Sequence, residues 1–349
     1  MSAAHTYHFP ISFLQVPEPW TVGPVEFLPS PMLAQRLLQA ADAEEEDGRR
    51  QFLRLFADRA RATECATAAA SAESADAALA IVRDAVAILR LYQRARRPRI
   101  DFDRQTFGAP GDLGTAVTEH WEFDDGRLVG GGVRRLWNIG DFAVPPEDLP
   151  AFAADPRFAY LDRVLRASDD ARSDLDRRFL KALRVLARAN VMLEEPIRVA
   201  LLAVSLEQLL GDLPREGRTH RIACRAAYLT CRDEPALPRH GPSRPACFYL
   251  TAKSQRQVVA EMKRLRAANR PNACSFYIDI AALIEDRNAV LHEFAGASLL
   301  GEVRRHQSRV DDVILTMLEW AAATGAVDLQ ALDDEIAAAA RKQGHEKPE

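Results

Sequence analysis

From about residue 150 to residue 342, apolar residues recur at helical spacing almost without a break, and this commits the second half of the chain to α-helices. Helices are expected near 158–166, 170–191, 195–211, 218–231, 253–268, 276–294, 298–323 and 328–342. A bundle is the way such elements bury their apolar stripes. The segment 195–211 is apolar on more than one side, with Ile197, Ala200, Leu201 and Val204 on one face and Leu202, Leu206 and Leu209 on another. Such a helix belongs at a bundle centre, and Pro196 suits its first turn. Glu207 lies within this apolar context, so it is expected either near a helix edge or paired with a buried cation.

The first half reads differently. Tyr7 to Gln15 and Trp20 to Leu28 alternate and are interrupted by proline, as short or edge strands are. Helical patterns follow at 31–41, 46–62 and 73–97, the last stopping at Pro98, which cannot continue a helix. Thr115 to Phe123 and the run from Arg127 flank Asp124-Asp125-Gly126, a strong hairpin signal. Gly130-Gly131-Gly132 lies within the second of these strands; it lacks the lysine and Ser/Thr of a phosphate loop and reads as a bulge or bend. The expected fold class is therefore mainly α: a smaller α+β N-terminal domain over 1–155, a helical bundle over 156–342, and a flexible tail over 343–349. The N-terminal domain has no residue pattern that chooses between a sensor and a regulatory role.

Met1 to Leu14 has neither a basic start nor a long apolar run, so it does not read as a signal peptide. No apolar run approaches the roughly 20 residues of a membrane span. A cytoplasmic protein without a membrane partner is expected. The five cysteines are odd in number and form no CxxC pair, which argues against a disulfide framework or a zinc site. No metal and no cofactor is expected. Between Arg215 and Arg270 thirteen Arg and Lys face four acids, so that segment carries +9 within a chain of net charge −4. Such asymmetry suits a polyanion surface, and equally suits a set of solvated helix faces.

The residues that carry chemistry are Arg287-Asn288-Ala289-Val290-Leu291-His292, an R-x4-H spacing. Chance alone supplies about one such spacing in a chain of this composition. A second copy, Arg215 to His220, contains Gly217 and straddles a helix start. On a helix over 276–294, Phe276, Tyr277, Ile280, Leu283, Ile284, Val290 and Leu291 form one apolar arc. Arg287 falls in the middle of that arc, while Asn288 and His292 fall on its margin. An arginine in a core stripe is costly unless paired or open to a polar cleft. Two readings follow: a buried ion pair, with Glu207 a candidate partner, or a guanidinium held ready for a phosphate. His292 suits proton transfer near neutral pH, and Asn288, one turn before it, suits orienting the imidazole or binding phosphate.

Arg-Asn-x-x-x-His on a late helix resembles the signature of the HEPN superfamily, helical bundles carrying R-x4-6-H. The stretch from Val199-Ala-Leu-Leu-Ala-Val-Ser-Leu-Glu-Gln-Leu-Leu to Arg221-Ile-Ala-Cys-Arg-Ala-Ala-Tyr-Leu is similar to the Apea-like HEPN group, and Tyr277-Ile-Asp279 echoes that group's aromatic–acid element. The resemblance covers about 170–324; Glu293 stands where glycine is common, and 232–252 is longer and richer in proline. It implies a HEPN-type bundle that pairs as a homodimer and cleaves RNA, including transfer RNA in some members, without metal. Arg287 and His292 would be the catalytic pair, supported by Asn288 and Glu207. Arg256, Lys263, Arg264, Arg266 and Arg270 would contact RNA phosphates. Members of the family serve in anti-phage defence or as toxins. A HEPN-like module that binds RNA, nucleotide or protein without catalysis is the alternative.

Overall fold

The computed structural model describes residues 5–63, 65–96, 107–110, 120–124, 127–132, 142–192, 195–212, 217–232, 252–268, 270–293 and 303–342. The chain divides into two compact units between Asp169 and Asp170, beyond the 155/156 boundary expected from the sequence.

The first unit is built on a six-stranded antiparallel sheet in the order β3-β4-β5-β1-β6-β7. Its strands are β1 (His5–Pro10), β3 (Trp20–Val22), β4 (Val25–Leu28), β5 (Thr67–Ala72), β6 (His120–Asp124) and β7 (Arg127–Gly132). A two-stranded parallel ladder joins β2 (Leu14–Gln15) to β8 (Phe142–Ala143). The hairpin expected around Asp124 is present as β6–β7, with its register shift opposite Glu122/Phe123. β3 is an edge strand, as proline-interrupted sequence suggests, but β1 is central, between β5 and β6. Pro10 is the last residue of β1, so the residues before it keep the N–H groups that two-sided pairing needs. Helices α1 (Ser30–Ala43) and α2 (Asp47–Thr63) form a hairpin with its own apolar cluster, including Leu33, Leu37, Leu53 and Phe56.

The long helix α3 (Ala75–Arg96) packs on β1, β4 and β5. Two short helices follow, α4 (Asp148–Ala154), which the sequence reading did not anticipate, and α5 (Pro156–Arg166). Aromatic rings tie these pieces together. Tyr92 of α3 meets Phe152 at 5.2 Å and Phe158 at 5.0 Å, both edge-to-face. Trp20 meets Phe152 at 5.2 Å. Gly23 turns β3 into β4 at φ +57°, and its N–H donates to Asp162 Oδ1 at 2.6 Å. These contacts place α5 in the first unit.

The second unit is helical throughout its described residues: α6 (Asp174–Val191), α7 (Glu195–Leu210), α8 (Arg218–Cys231), α9 (Ala252–Ala267), α10 (Pro271–Glu293), α11 (Val303–Thr324) and α12 (Gln330–Lys342). A reciprocal capping box starts α6, with Asp176 N–H on Ser173 Oγ at 3.1 Å and Ser173 N–H on Asp176 Oδ2 at 3.0 Å. α7 packs on α6, α8, α10 and α11, and buries Val199, Leu202, Leu206 and Leu209 completely. Each such side chain contributes about 2 kcal/mol. Ser205, also fully buried, donates to Ala182 O at 2.9 Å and fixes the α6–α7 contact. α10 packs on α7, α8, α9 and α11. The described part of the expected apolar arc is buried on α10: Phe276, Tyr277, Ile280, Leu283 and Ile284 are each at most 3% exposed, while the side chains of Val290 and Leu291 lie outside the described residues.

Arg225 of α8 is the polar clamp of this unit, with its side chain 3% exposed. Its Nη1 donates to Leu210 O at 2.5 Å, its Nη2 to Asp212 Oδ2 at 2.9 Å, and its Nε to Asp333 Oδ1 at 2.8 Å. The arrangement joins the end of α7 to α12. Burial pushes the Asp212 carboxyl up, but Arg225 and Arg221 outweigh it and hold the group below the usual carboxylate range. Among the described residues no helix is long and apolar enough to cross a membrane.

Candidate functional site

Three consecutive charged residues near the end of α10 each reach a different helix. Glu285 Oε1 accepts from Thr219 Oγ1 of α8 at 3.4 Å. Asp286 Oδ2 lies 3.1 Å from His306 Nε2 of α11. Arg287 Nη2 donates to Glu207 Oε1 of α7. Helical geometry makes this possible, because successive residues point about 100° apart and α10 has neighbours on several sides.

The Arg287–Glu207 pair is asymmetric. The Glu207 side chain is 8% exposed and that of Arg287 is 21% exposed. Glu207 thus meets the second of its two expected fates, a buried carboxylate paired with a cation. A charge-assisted bond is the arrangement that makes such burial tolerable. The guanidinium has capacity left: Arg287 Nε is buried and has no hydrogen-bond partner among the described residues. A buried donor without an acceptor is costly and calls for a physical reason.

Helix α10 runs unbroken through Glu293, so Asn288 and His292 stand on the same helix as Arg287. The side chains of Asn288 and His292 lie outside the described residues, as does that of Arg256 on α9. The second R-x4-H spacing is resolved differently. Gly217 caps α8 at φ +69°, so this spacing does straddle a helix start. His220 Nδ1 sits 2.8 Å from Tyr277 OH, and its ring nitrogens lie 3.6 and 3.7 Å from Cys224 Sγ. Burial lowers the His220 pKa, with Arg264 and Arg221 acting in the same direction and Glu261 opposing. Burial pushes the Cys224 thiol up, so this cluster is held neutral.

The expected aromatic–acid element serves two other contacts. Tyr277 binds His220, and Asp279, 5% exposed, accepts from Arg309 Nε at 2.9 Å and from Arg305 Nη2. Of the expected phosphate contacts, Lys263, Arg264 and Arg266 are exposed on α9, opposite its buried Val258, Met262 and Leu265. Arg264 is held by Glu261 in a fork, Nε to Oε2 at 2.8 Å and Nη2 to Oε1 at 2.5 Å. Arg270 turns inward, its Nη2 donating to Cys231 O at the end of α8.

Sequence reasoning did not find His306. It is 3% exposed, bonded by Nε2 to Asp286, and its Nδ1 has no partner among the described residues. No local spacing signals it, since its partner is on another helix. No family model, curated protein or solved structure matches this chain.

Proposed function

We propose that the chain is a metal-independent endoribonuclease of HEPN type, with Arg287 and His292 acting on one RNA phosphodiester. The observation that carries the reading is the state of the Arg287 guanidinium. Glu207 fixes it through Nη2, its side chain keeps one-fifth of its surface, and Nε has no acceptor among the described residues. A cation held in orientation, with part of its side chain open to solvent, suits a non-bridging phosphate oxygen. The continuity of α10 through His292 and the solvated basic face of α9, with Lys263 and Arg266, support it further.

In the reaction His292 accepts the proton of the ribose 2′-OH. The 2′ oxygen bonds to the adjacent phosphorus, the P–O5′ bond breaks, and the departing 5′ oxygen takes up a proton. Arg287 stabilises the extra negative charge on the phosphorane-like transition state. The products are a 2′,3′-cyclic phosphate and a 5′-OH end. Asn288, one turn before His292, orients the imidazole or holds phosphate. A homodimer bringing two R-x4-H helices to one cleft, a cytoplasmic setting and a role in anti-phage defence or as a toxin complete the proposal; transfer RNA is one candidate substrate.

One observation favours a second reading. Glu207 is more deeply buried than Arg287, as in a purely structural ion pair within a non-catalytic module. Purified protein incubated with total RNA in excess EDTA, followed by end-group analysis, separates the two. The nuclease cleaves, leaving cyclic phosphate ends, and Arg287→Ala and His292→Ala stop it while the helical signal survives. Wild-type protein that leaves every RNA intact, or a His292→Ala variant as active as wild type, rejects the proposal.

A further inference from the structure

A second concentration of positive charge lies outside the basic segment 215–270, on helix α6. From Arg177 to Leu193 the chain carries five cations, Arg177, Arg178, Lys181, Arg184 and Arg188, and no acid. Arg177, Lys181, Arg184 and Arg188 recur at intervals of four, three and four residues. At 100° per residue they fall within about 60° of one another around the helix, and all four are exposed. The opposite face is apolar and packs on α7: Phe179, Leu183 and Leu186 are each at most 3% exposed. The four cations therefore form a straight stripe about 16 Å long, with steps of about 6, 4.5 and 6 Å.

The two acids just before the stripe are engaged elsewhere. Asp176 is 4% exposed and closes the capping box with Ser173. Asp174 accepts from Arg178 Nε at 2.6 Å. Arg178 also donates from Nη1 to Gly211 O at 2.6 Å, which takes it off the stripe. An exposed cation that also meets a local partner still exchanges it readily, because a surface ion pair is worth little. Ala182 O accepts from Ser205 and Gly211 O from Arg178, so α6 and α7 run antiparallel and Lys181 stands near the level of Glu207. The stripe thus spans the height at which Glu207 holds Arg287.

We propose that this stripe binds the phosphates of a single-stranded RNA, following the backbone without reading its bases. The choice of RNA rests on the nuclease reading of Arg287 and His292; the stripe itself calls for a linear polyanion. A chain with one charge per nucleotide meets all four cations along the line, whereas a compact anion would meet only one or two. Phe179, the single aromatic residue of α6, is fully buried, so the helix offers no ring for base stacking and the binding is electrostatic. An anionic membrane fits less well. Helices that lie on membranes insert an apolar face. Among the described residues the large exposed apolar side chains, Phe52, Leu55, Ile197, Val259 and Val327, are all on other elements.

The experiment is fluorescence anisotropy on the full chain with a labelled 2′-O-methyl oligouridylate of about 12 nucleotides. This probe has no 2′-OH to attack, so binding is read apart from cleavage. From about 50 to 200 mM salt, log K falls against log salt with a slope of about −3 or steeper, four contacts at about −0.7 each. Lys181→Gln/Arg188→Gln makes the slope shallower by about 1.4 and weakens binding about 25-fold at about 0.1 M salt. Arg49→Gln/Arg61→Gln removes the same charge from exposed positions on α2 and leaves both quantities as in wild type. Circular dichroism shows that each variant is folded. Four results overturn the proposal: no binding tighter than about 1 mM at about 50 mM salt, the wild-type slope in the α6 variant, an equal loss in the α2 variant, or phosphatidylserine vesicles that retain the protein while the oligonucleotide does not. A chain that binds through the stripe and cleaves no RNA sinks the nuclease and leaves the stripe standing. A chain that cleaves RNA and keeps its slope in the α6 variant does the reverse.

Discussion

Replacing Arg287 by methionine keeps most of its volume and leaves the Glu207 carboxylate on α7 without its cation. Glu207 is 8% exposed, so the stranded charge has little access to water. Removing one partner of a fully buried pair costs about 3–5 kcal/mol. The 21% exposure of Arg287 admits some solvent, which lowers the expectation to about 2–4 kcal/mol. In a unit of this size that is a fall of about 5–12 °C in Tm. Adding Glu207→Leu to Arg287→Met removes the stranded charge, and the double variant regains at least half of the loss. Urea unfolding followed by circular dichroism gives all four corners of the cycle. A coupling energy under about 0.5 kcal/mol refutes the reasoning, because it would mean the two side chains act independently. The same proteins sharpen the functional question: if the wild-type chain cleaves RNA as proposed, a stable double variant that leaves RNA intact shows that the guanidinium does more than neutralise Glu207.

Two further predictions concern stability, one in each unit. Arg225→Ala leaves Leu210 O without its donor and takes a cation from Asp333, while Asp212 keeps Arg221; since both carboxylates are partly open to solvent, the second unit loses about 1–3 kcal/mol. Arg225→Lys, lacking the fork, recovers less than half of that, as denaturant midpoints will show. In the first unit, burial and the nearby charge of Arg36 lower the pKa of His8 to about 4. Between that value and the ordinary 6.5 the unfolded chain binds a proton that the folded chain does not. Stability therefore falls as pH drops through this window, by about 3 kcal/mol in total. His8→Leu removes that component of the slope in urea midpoints measured from pH 7 to 4.

Much of the helical architecture was legible in the residues themselves. The spacing of Leu202, Leu206 and Leu209 marked α7 as central, and the arc from Phe276 to Ile284 is the buried face of α10. These features are local: a helix period and an apolar stripe are written within a dozen residues. β5 was not legible, because Thr67-Ala-Ala-Ala-Ser-Ala72 lacks both the alternation and the β-branched residues of a strand. It is a strand because β1 and β4 pair with it on either side.

The sequence alone determined which faces of the helices are apolar, and that Glu207 and Arg287 both stand in apolar surroundings. It did not determine what each charge meets. Only the packed structure decided that Glu285, Asp286 and Arg287, adjacent in the chain, go to α8, α11 and α7, or that Arg225 clamps Asp333. Glu207 is 80 positions from Arg287, and Asp333 is 108 from Arg225. Polar partners at such separations are chosen by how whole helices dock, and the burial that drives docking is proportional to area and blind to direction.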